Sequence, residues 1–316
     1  MGFWTRLRGI EEKPETVRVT VVGDGAEAGS LLEAYHAIRG VEATAASREQ
    51  LLEQIGRRAT DAVEICLPPE EAQEVARAGL RAGLFVSTPC PLSRSRLAEL
   101  VGASRPGSLR VRLAPLYYPP YRELMRLVEE DAVGTPVMLK LAVRRGRGTV
   151  LPDPLDPADW LRRHELGFLA LSPWLIGPAE RADSRLESIK VNGAAASSVL
   201  TWKYPAPHQY GYLQLDFCPD LHVRTFHEPV HRGLELTGLG GIISVNRAEG
   251  QLLREPTLVV RGKSTTTAFE LIPDDWDQVY ANLAVETVAV TREGKPPTLP
   301  TDKLAEQALR VLELAL

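Results

Sequence analysis

Two glycines and an alanine near the N-terminus have the spacing of a phosphate-binding turn. Gly23, Gly25 and Ala28 form the pattern Gly-x-Gly-x-x-Ala directly after a β-branched, strand-like stretch at residues 17–22. The first glycine permits the tight turn, the second lets the backbone approach a pyrophosphate, and the small third residue allows close packing of helix on strand. The N-terminus of the following helix would offer free N–H groups to the phosphates. The pattern predicts a dinucleotide site; the alternative is a glycine turn that binds nothing.

The second predicted strand is followed by Ser47 and Arg48, where NAD-binding proteins place an acidic residue on the ribose hydroxyls. An arginine suits a 2′-phosphate better than a free hydroxyl, so the sequence favours NADP over NAD. The alternatives are that Arg48 is a solvated surface residue and that no dinucleotide binds. The turn and the end of the second strand thus predict cofactor contacts at Gly23, Asp24, Gly25, Ala26, Ala28, Ser47 and Arg48.

A second motif points to metal chemistry but has the wrong context. His227 and His231 fit the zinc-binding string His-Glu-x-x-His, which requires both histidines on one helix face. Pro229 lies inside the string and its flanks are strand-like, so no metal site is predicted here. The spacing of the sequence gives no reason to expect His222 beside these two histidines.

Length, charge and cysteine content exclude several classes of protein. The 316 residues carry 37 basic and 41 acidic side chains, a net charge of −4, which argues against nucleic-acid binding. No apolar run approaches the roughly 18 residues of a membrane span, and residues 1–8 do not resemble a secretory signal. Three scattered cysteines, Cys66, Cys90 and Cys218, cannot build a disulfide framework, so a cytoplasmic location is expected.

The predicted elements fall into two domains. Strands and helices alternate over residues 17–113, which is typical of a doubly wound parallel sheet. After about residue 120 the pattern changes: a Pro/Asp-rich loop at 149–159 precedes a predicted helix at 167–177, and residues 186–270 are largely strand-like. The expected fold is α/β, with a Rossmann domain at 1–119 and an α/β domain on a mostly antiparallel open sheet at 120–316.

Several segments in the same order resemble the glucose–fructose oxidoreductase / inositol dehydrogenase (Gfo/Idh/MocA) family. They are Asp61-Ala-Val-Glu-Ile-Cys-Leu-Pro, Ala82-Gly-Leu-Phe-Val-Ser-Thr-Pro-Cys-Pro-Leu, the stretch 121–137, and Glu293-Gly-Lys-Pro-Pro-Thr. The resemblance covers nearly the whole chain. It implies that the open sheet of the second domain carries the substrate pocket and often an oligomer interface, so a homodimer or homotetramer binding a small molecule is expected.

The family's proton-handling residues are replaced in this chain. The lysine of its Glu-Lys-Pro motif corresponds to Cys90, between two prolines. The resemblance also implies that Leu67, Pro68 and Cys90 contact the cofactor. Its Asp and His, four residues apart on one helix, correspond to Ala170 and Trp174, and an indole N–H can only donate. A third motif after the fifth strand is also altered, at Arg112–Leu116. For Cys90, an inert buried thiol is favoured over a reactive one.

Two functions remain open. The first is an NAD(P)-binding protein of this oxidoreductase family that is not a standard sugar dehydrogenase. The second is an active NADP-dependent oxidoreductase on a sugar, polyol or small carbonyl compound, with a substituted proton relay through His164, Tyr117 or water.

Overall fold

The computed structural model describes residues 16–146, 156–180, 185–191, 194–217, 230–246, 256–262 and 264–315. Cys218, His222 and His227 lie outside these ranges. Of the two histidines in the His-Glu-x-x-His string, the structure therefore describes His231. No helix in the described part of the chain is long and apolar enough to cross a membrane.

The N-terminal part forms a five-stranded parallel sheet in the order β2-β1-β3-β4-β5, as the alternation of elements predicts. The strands are β1 Val17–Val22, β2 Val41–Ala46, β3 Ala62–Ile65, β4 Phe85–Pro89 and β5 Leu109–Arg112. The helices between them are α1 Ala26–His36, α2 Arg48–Arg57, α3 Pro69–Arg81 and α4 Arg94–Ala103. The order reverses at β1, which creates a crevice at the carboxyl ends of the strands, where such sheets bind ligands.

The second sheet has eight strands in the order β13-β12-β11-β10-β6-β9-β8-β7. The strands are β6 Pro136–Arg145, β7 Arg185–Val191, β8 Ala194–Lys203, β9 Tyr210–Phe217, β10 Val230–Gly238, β11 Gly241–Val245, β12 Leu258–Gly262 and β13 Thr266–Phe269. All neighbours are antiparallel except β6 and β9. Burial alternates along β9 and β10, because one face of the sheet packs on the core and the other does not.

The remaining helices connect and cover the two sheets. A 3₁₀ turn at Ala114–Tyr117 leads into α5 Pro119–Glu129, and the later helices are α6 Pro157–Trp160, α7 Leu166–Leu169, α8 Leu171–Leu175, α9 Asp277–Glu293 and α10 Thr301–Ala315. A π-helical turn, Leu161–Glu165, joins α6 to α7.

The single helix predicted at 167–177 is therefore wrong in its extent. Helical structure already begins at Pro157, inside the predicted loop, and it is interrupted at Ala170. Pro173 explains the interruption, since it has no N–H to offer to the carbonyl four residues earlier and its ring clashes with that carbonyl.

The two C-terminal helices return to the parallel sheet. The N–H of Val111 in β5 donates to the hydroxyl of Thr301 at the start of α10 (3.1 Å), and Arg94 of α4 pairs with Glu306 of α10 (3.0 Å). The domain boundary predicted at residue 120 stays a prediction. The helices α9 and α10 follow it in the chain but pack on the parallel sheet and its helices.

Candidate functional site

The turn after β1 has the backbone that its sequence pattern predicts. Gly23 has φ +128°, and a Cβ atom there would lie 2.5 Å from the carbonyl oxygen of Cys66, so both conformation and space require glycine. Gly25 is different: its φ of −77° suits any residue, and a Cβ atom would meet nothing within 4 Å. Packing within the chain does not require a glycine at position 25, whereas a ligand lying against the backbone would.

The first turn of α1 faces the same open space. Gly25 is the N-cap of α1 and has no side chain to accept from the first N–H groups, which have no partner within a helix. Asp24 and Ala26 are exposed, whereas Ala28 is buried against the sheet, as its small size predicts. The turn therefore offers backbone donors and a partial positive charge to an anion.

A charged pair spans this turn. The Nε of Arg112, at the end of β5, donates to Oε1 of Glu27 (2.8 Å), and its Nη2 donates to Oε2 (3.0 Å). Arg112 also donates to the carbonyl of Ile65 (2.7 Å). Neither charged residue is among the predicted site residues.

Ser47 and Arg48 lie at the carboxyl end of β2. The Ser47 hydroxyl accepts from the N–H of Gln50 (3.3 Å), and the Gln50 side chain accepts from the N–H of Ser47 (2.8 Å), which together form a capping box. Arg48 pairs with Glu74 of α3, and both side chains are exposed. An exposed pair of this kind leaves Arg48 able to exchange its partner for a ligand phosphate.

A cavity of about 420 Å³ opens between the parallel sheet and the second sheet. Ala26 and Glu27 line it from α1, Pro89 and Cys90 from β4 and the residue after it, and Arg112 from β5. Residues 162–168 and Arg232 of β10 close the opposite side. Its size is in the usual range for small-molecule sites. Among its described lining residues there is no lysine and no aspartate.

Cys90, which the sequence resemblance aligns with the lysine of the Glu-Lys-Pro motif, lies in the cavity wall. Burial raises the pKa of the Cys90 thiol well above its usual value. Cys66, beside the turn, also has a raised pKa, of about 12, chiefly because of burial. Both thiols are therefore protonated at neutral pH, which supports the inert interpretation of Cys90.

His164 lies in the same cavity wall. It is exposed, and its ring packs on Trp160 with the centroids 4.1 Å apart. The next residue, Glu165, is buried between Arg145 (2.7 Å) and Arg232 (3.0 Å). Burial alone would raise the pKa of Glu165, but the two guanidinium groups more than compensate, so its pKa is lowered and it stays a carboxylate at neutral pH.

The three remaining candidate catalytic positions, Tyr117, Ala170 and Trp174, do not line this cavity. The Tyr117 hydroxyl donates to Glu286 (2.6 Å) in a separate groove beside α9, and burial raises the Tyr117 pKa. Ala170 is fully buried, and Trp174 packs against the core. Neither lines the cavity. Leu67 and Pro68 lie between β3 and α3, where Pro68 is the N-cap of α3.

A buried ion network that was not predicted from the sequence lies beneath the turn. Glu64 of β3 and Arg110 of β5 are fully buried and joined at 2.6 Å across the small side chain of Ser87 in β4. Glu64 also accepts from Tyr35 (2.6 Å) and Thr287 (3.0 Å). Burial favours a higher pKa for Glu64, but Arg110 and Arg112 outweigh it and the pKa is lowered. Opposite charges inside strands of a parallel sheet, which are normally apolar, are the pattern that could have revealed this network.

No cluster of metal-ligating side chains is present in the described part of the chain. His231 lies in β10, where its Nδ1 is 3.4 Å from a guanidinium nitrogen of Arg144. This strand position does not provide the helix face that the His-Glu-x-x-His string needs.

Solved structures of oxidoreductases share this fold over nearly the whole chain. An oxidoreductase from Agrobacterium radiobacter, solved in complex with NAD+, L-tartaric acid and magnesium, is 13% identical with a TM-score of 0.72, covering 94% of each chain. A myo-inositol dehydrogenase from Corynebacterium glutamicum is 12% identical (TM-score 0.70; 94% of this chain, 95% of that one). A scyllo-inositol dehydrogenase from Lactobacillus casei is 12% identical (TM-score 0.71; 96% of each). No protein-family profile and no curated protein sequence matches the chain. The predicted fold resemblance is confirmed.

Proposed function

We propose that the chain binds a nicotinamide dinucleotide, with NADP preferred, at the carboxyl edge of its parallel sheet. We further propose that it is not a standard sugar or polyol dehydrogenase. The observation that carries the binding proposal is Gly25, a glycine that neither its φ angle nor its packing requires and that faces open space at the N-terminus of α1. A bound pyrophosphate explains why no side chain stands there.

The residues along this edge of the sheet fit such a ligand along its length. The first turn of α1 offers N–H groups to the pyrophosphate, and Arg48 lies where a 2′-phosphate would be recognised. The cavity beyond Ala26 leads to Cys90, at the position that faces the nicotinamide in the family. When bound, the dinucleotide supplies the hydride donor or acceptor.

The described cavity wall lacks the lysine and the helix-borne Asp/His pair that the family resemblance assigns to proton transfer. Oxidising an alcohol requires a group that accepts the hydroxyl proton within hydrogen-bond reach. Cys90 stays protonated, and Ala170 and Trp174 lie outside the cavity and have no acceptor to offer. The described cavity wall therefore binds and orients a ligand without the family's acid–base set.

The binding proposal is tested by filling the open space at Gly25. We expect wild-type protein to bind NADPH in a titration followed by nicotinamide fluorescence, and Gly25→Leu to weaken binding at least about tenfold, since a side chain there occupies the path of the pyrophosphate. Gly29→Leu is the matched control, because a Cβ atom at Gly29 also meets nothing within 4 Å but lies one turn further along α1. Failure of wild type to bind at millimolar NADPH, or equal affinity of Gly25→Leu, contradicts the proposal.

A second candidate function rests on the position of His164. It lines the same cavity as Cys90, and histidine titrates near neutral pH, so it is the described side chain best suited to replace the missing base. This candidate predicts turnover of a sugar, polyol or small carbonyl compound with NADP that His164→Gln abolishes. The control His36→Gln removes an exposed histidine of α1 and leaves turnover unchanged. No turnover across such a panel favours the first proposal.

A further inference from the structure

Arg112 is a buried cation at the edge of the candidate cofactor site. Its side chain is 2% exposed and is fixed from two sides: the carbonyl of Ile65 accepts at 2.7 Å, and Glu64 lies 3.5 Å from Nη1. Glu64 is itself held by Arg110, Tyr35 and Thr287. Because every one of these partners is part of the sheet or of the helices packed on it, Arg112 cannot move towards a ligand.

Glu27, unlike Arg112, is partly exposed. Its side chain is 39% exposed, and it lies in the first turn of α1, two residues after Gly25. Its two carboxylate oxygens accept hydrogen bonds from Nε and Nη2 of Arg112 at 2.8 and 3.0 Å. The structure gives Glu27 no other side-chain partner among the described residues, so rotation of its side chain breaks these contacts alone.

A carboxylate and a phosphate present the same pair of oxygens to the fork of a guanidinium group. We propose that the Nε and Nη2 edge of Arg112 is an anion-recognition site beside the phosphate-binding turn, and that the Glu27 carboxylate competes with the ligand anion for it. A phosphate oxygen pair of the ligand replaces the Glu27 carboxylate on Arg112, and Glu27 turns to solvent. This inference rests on the proposed dinucleotide site and makes Glu27 and Arg112 its affinity-setting residues.

Position and charge favour this exchange over a purely structural pair. Glu27 and Arg112 line the same cavity as Ala26, the residue that follows Gly25. A pyrophosphate bound there meets the Glu27 carboxylate at close range, and like charges in a partly buried site repel strongly. Exchange removes that repulsion and gives the ligand a charge-assisted contact, while Glu64 continues to hold the far side of Arg112.

The test removes the competitor and measures anion binding with NADPH and with inorganic pyrophosphate. We expect Glu27→Gln to tighten both by about 10- to 100-fold, the range for one charge-assisted contact. The matched control is Glu33→Gln, which removes the same charge from an exposed position of α1 and leaves both affinities within about twofold of wild type. Arg112→Lys loses the paired donors and weakens binding of both ligands about tenfold.

Glu27→Asp covers the case in which Glu27→Gln folds poorly. It keeps a negative charge in the first turn of α1, which stabilises the helix, but is too short to engage both donors of Arg112, so binding tightens in the same direction. Affinities of Glu27→Gln and Glu27→Asp equal to or weaker than wild type overturn the inference. If wild type binds NADPH but Glu27 variants do not change its affinity, the proposed function stands and this inference fails. If only Glu27→Gln binds pyrophosphate and no form binds NADPH, the inference stands and the proposed function fails.

Discussion

Replacing Arg110 tests whether the buried ion network holds the parallel sheet together. Arg110→Met removes the guanidinium that lies 2.6 Å from Glu64, while keeping much of the apolar volume of the side chain. At that distance and an effective dielectric constant of about 20, the lost attraction is about 6 kcal/mol. Tyr35 and Thr287 still donate to Glu64, and Arg112 remains 3.5 Å away. The expected net loss is therefore about 3–5 kcal/mol, the usual range for a broken buried pair.

Thermal unfolding followed by circular dichroism measures this loss, and Tm should fall by on the order of 10 °C. The matched control is Arg126→Met, which removes an exposed arginine with two carboxylate partners, Glu123 and Glu130. That pairing is solvated, so no measurable change in Tm is expected. Adding Glu64→Gln to Arg110→Met should restore part of the stability, because it removes the unpaired charge. An Arg110→Met protein as stable as the Arg126→Met control refutes the reasoning.

Three further results are expected. Gly23→Ala should lower Tm by several degrees, because its Cβ atom meets the Cys66 carbonyl at 2.5 Å and its φ is +128°; an unchanged Tm contradicts the described turn. Arg48→Ala should weaken NADPH binding about tenfold and leave NADH binding unchanged, as measured by fluorescence titration, if this arginine receives the 2′-phosphate; equal losses contradict that role. In a Cys218→Ser background, iodoacetamide should modify the folded protein only slowly at about pH 8 and faster as pH rises, since the pKa of Cys66 is about 12 and that of Cys90 is also raised; rapid modification of Cys90 at pH 8 contradicts the inert thiol.

The alternation of strands and helices in the N-terminal part was predictable because local patterns and the fold agree there. The stretch predicted as a strand at 17–22 is β1, with the same bounds. Gly23 likewise follows from sequence, since the pattern around it demands a positive φ angle and a close backbone approach. These features depend on neighbouring residues alone.

Features that depend on distant residues were not predictable in this way. The sequence pattern does not predict α9, where Val285, Thr287 and Val288 lower the helix propensity and packing against α1 and the parallel sheet stabilises the helix instead. The pairs Glu27–Arg112 and Glu64–Arg110 join positions 85 and 46 residues apart in the chain. Their partners become identifiable only once the order and register of the strands are known.

Our main proposal is that the chain binds a nicotinamide dinucleotide while the acid–base residues implied by the family resemblance are replaced. A crystal structure with NADPH bound tests it most directly, because it locates the nicotinamide relative to every side chain, including those of residues 147–155 and 218–229. We expect the pyrophosphate to lie against Gly25, Cys90 to lie beside the nicotinamide, and no lysine or aspartate to lie within about 3.5 Å of the hydride-transferring carbon or of a ligand bound next to it. A lysine or aspartate from another segment in hydrogen-bond reach of that position contradicts the claim.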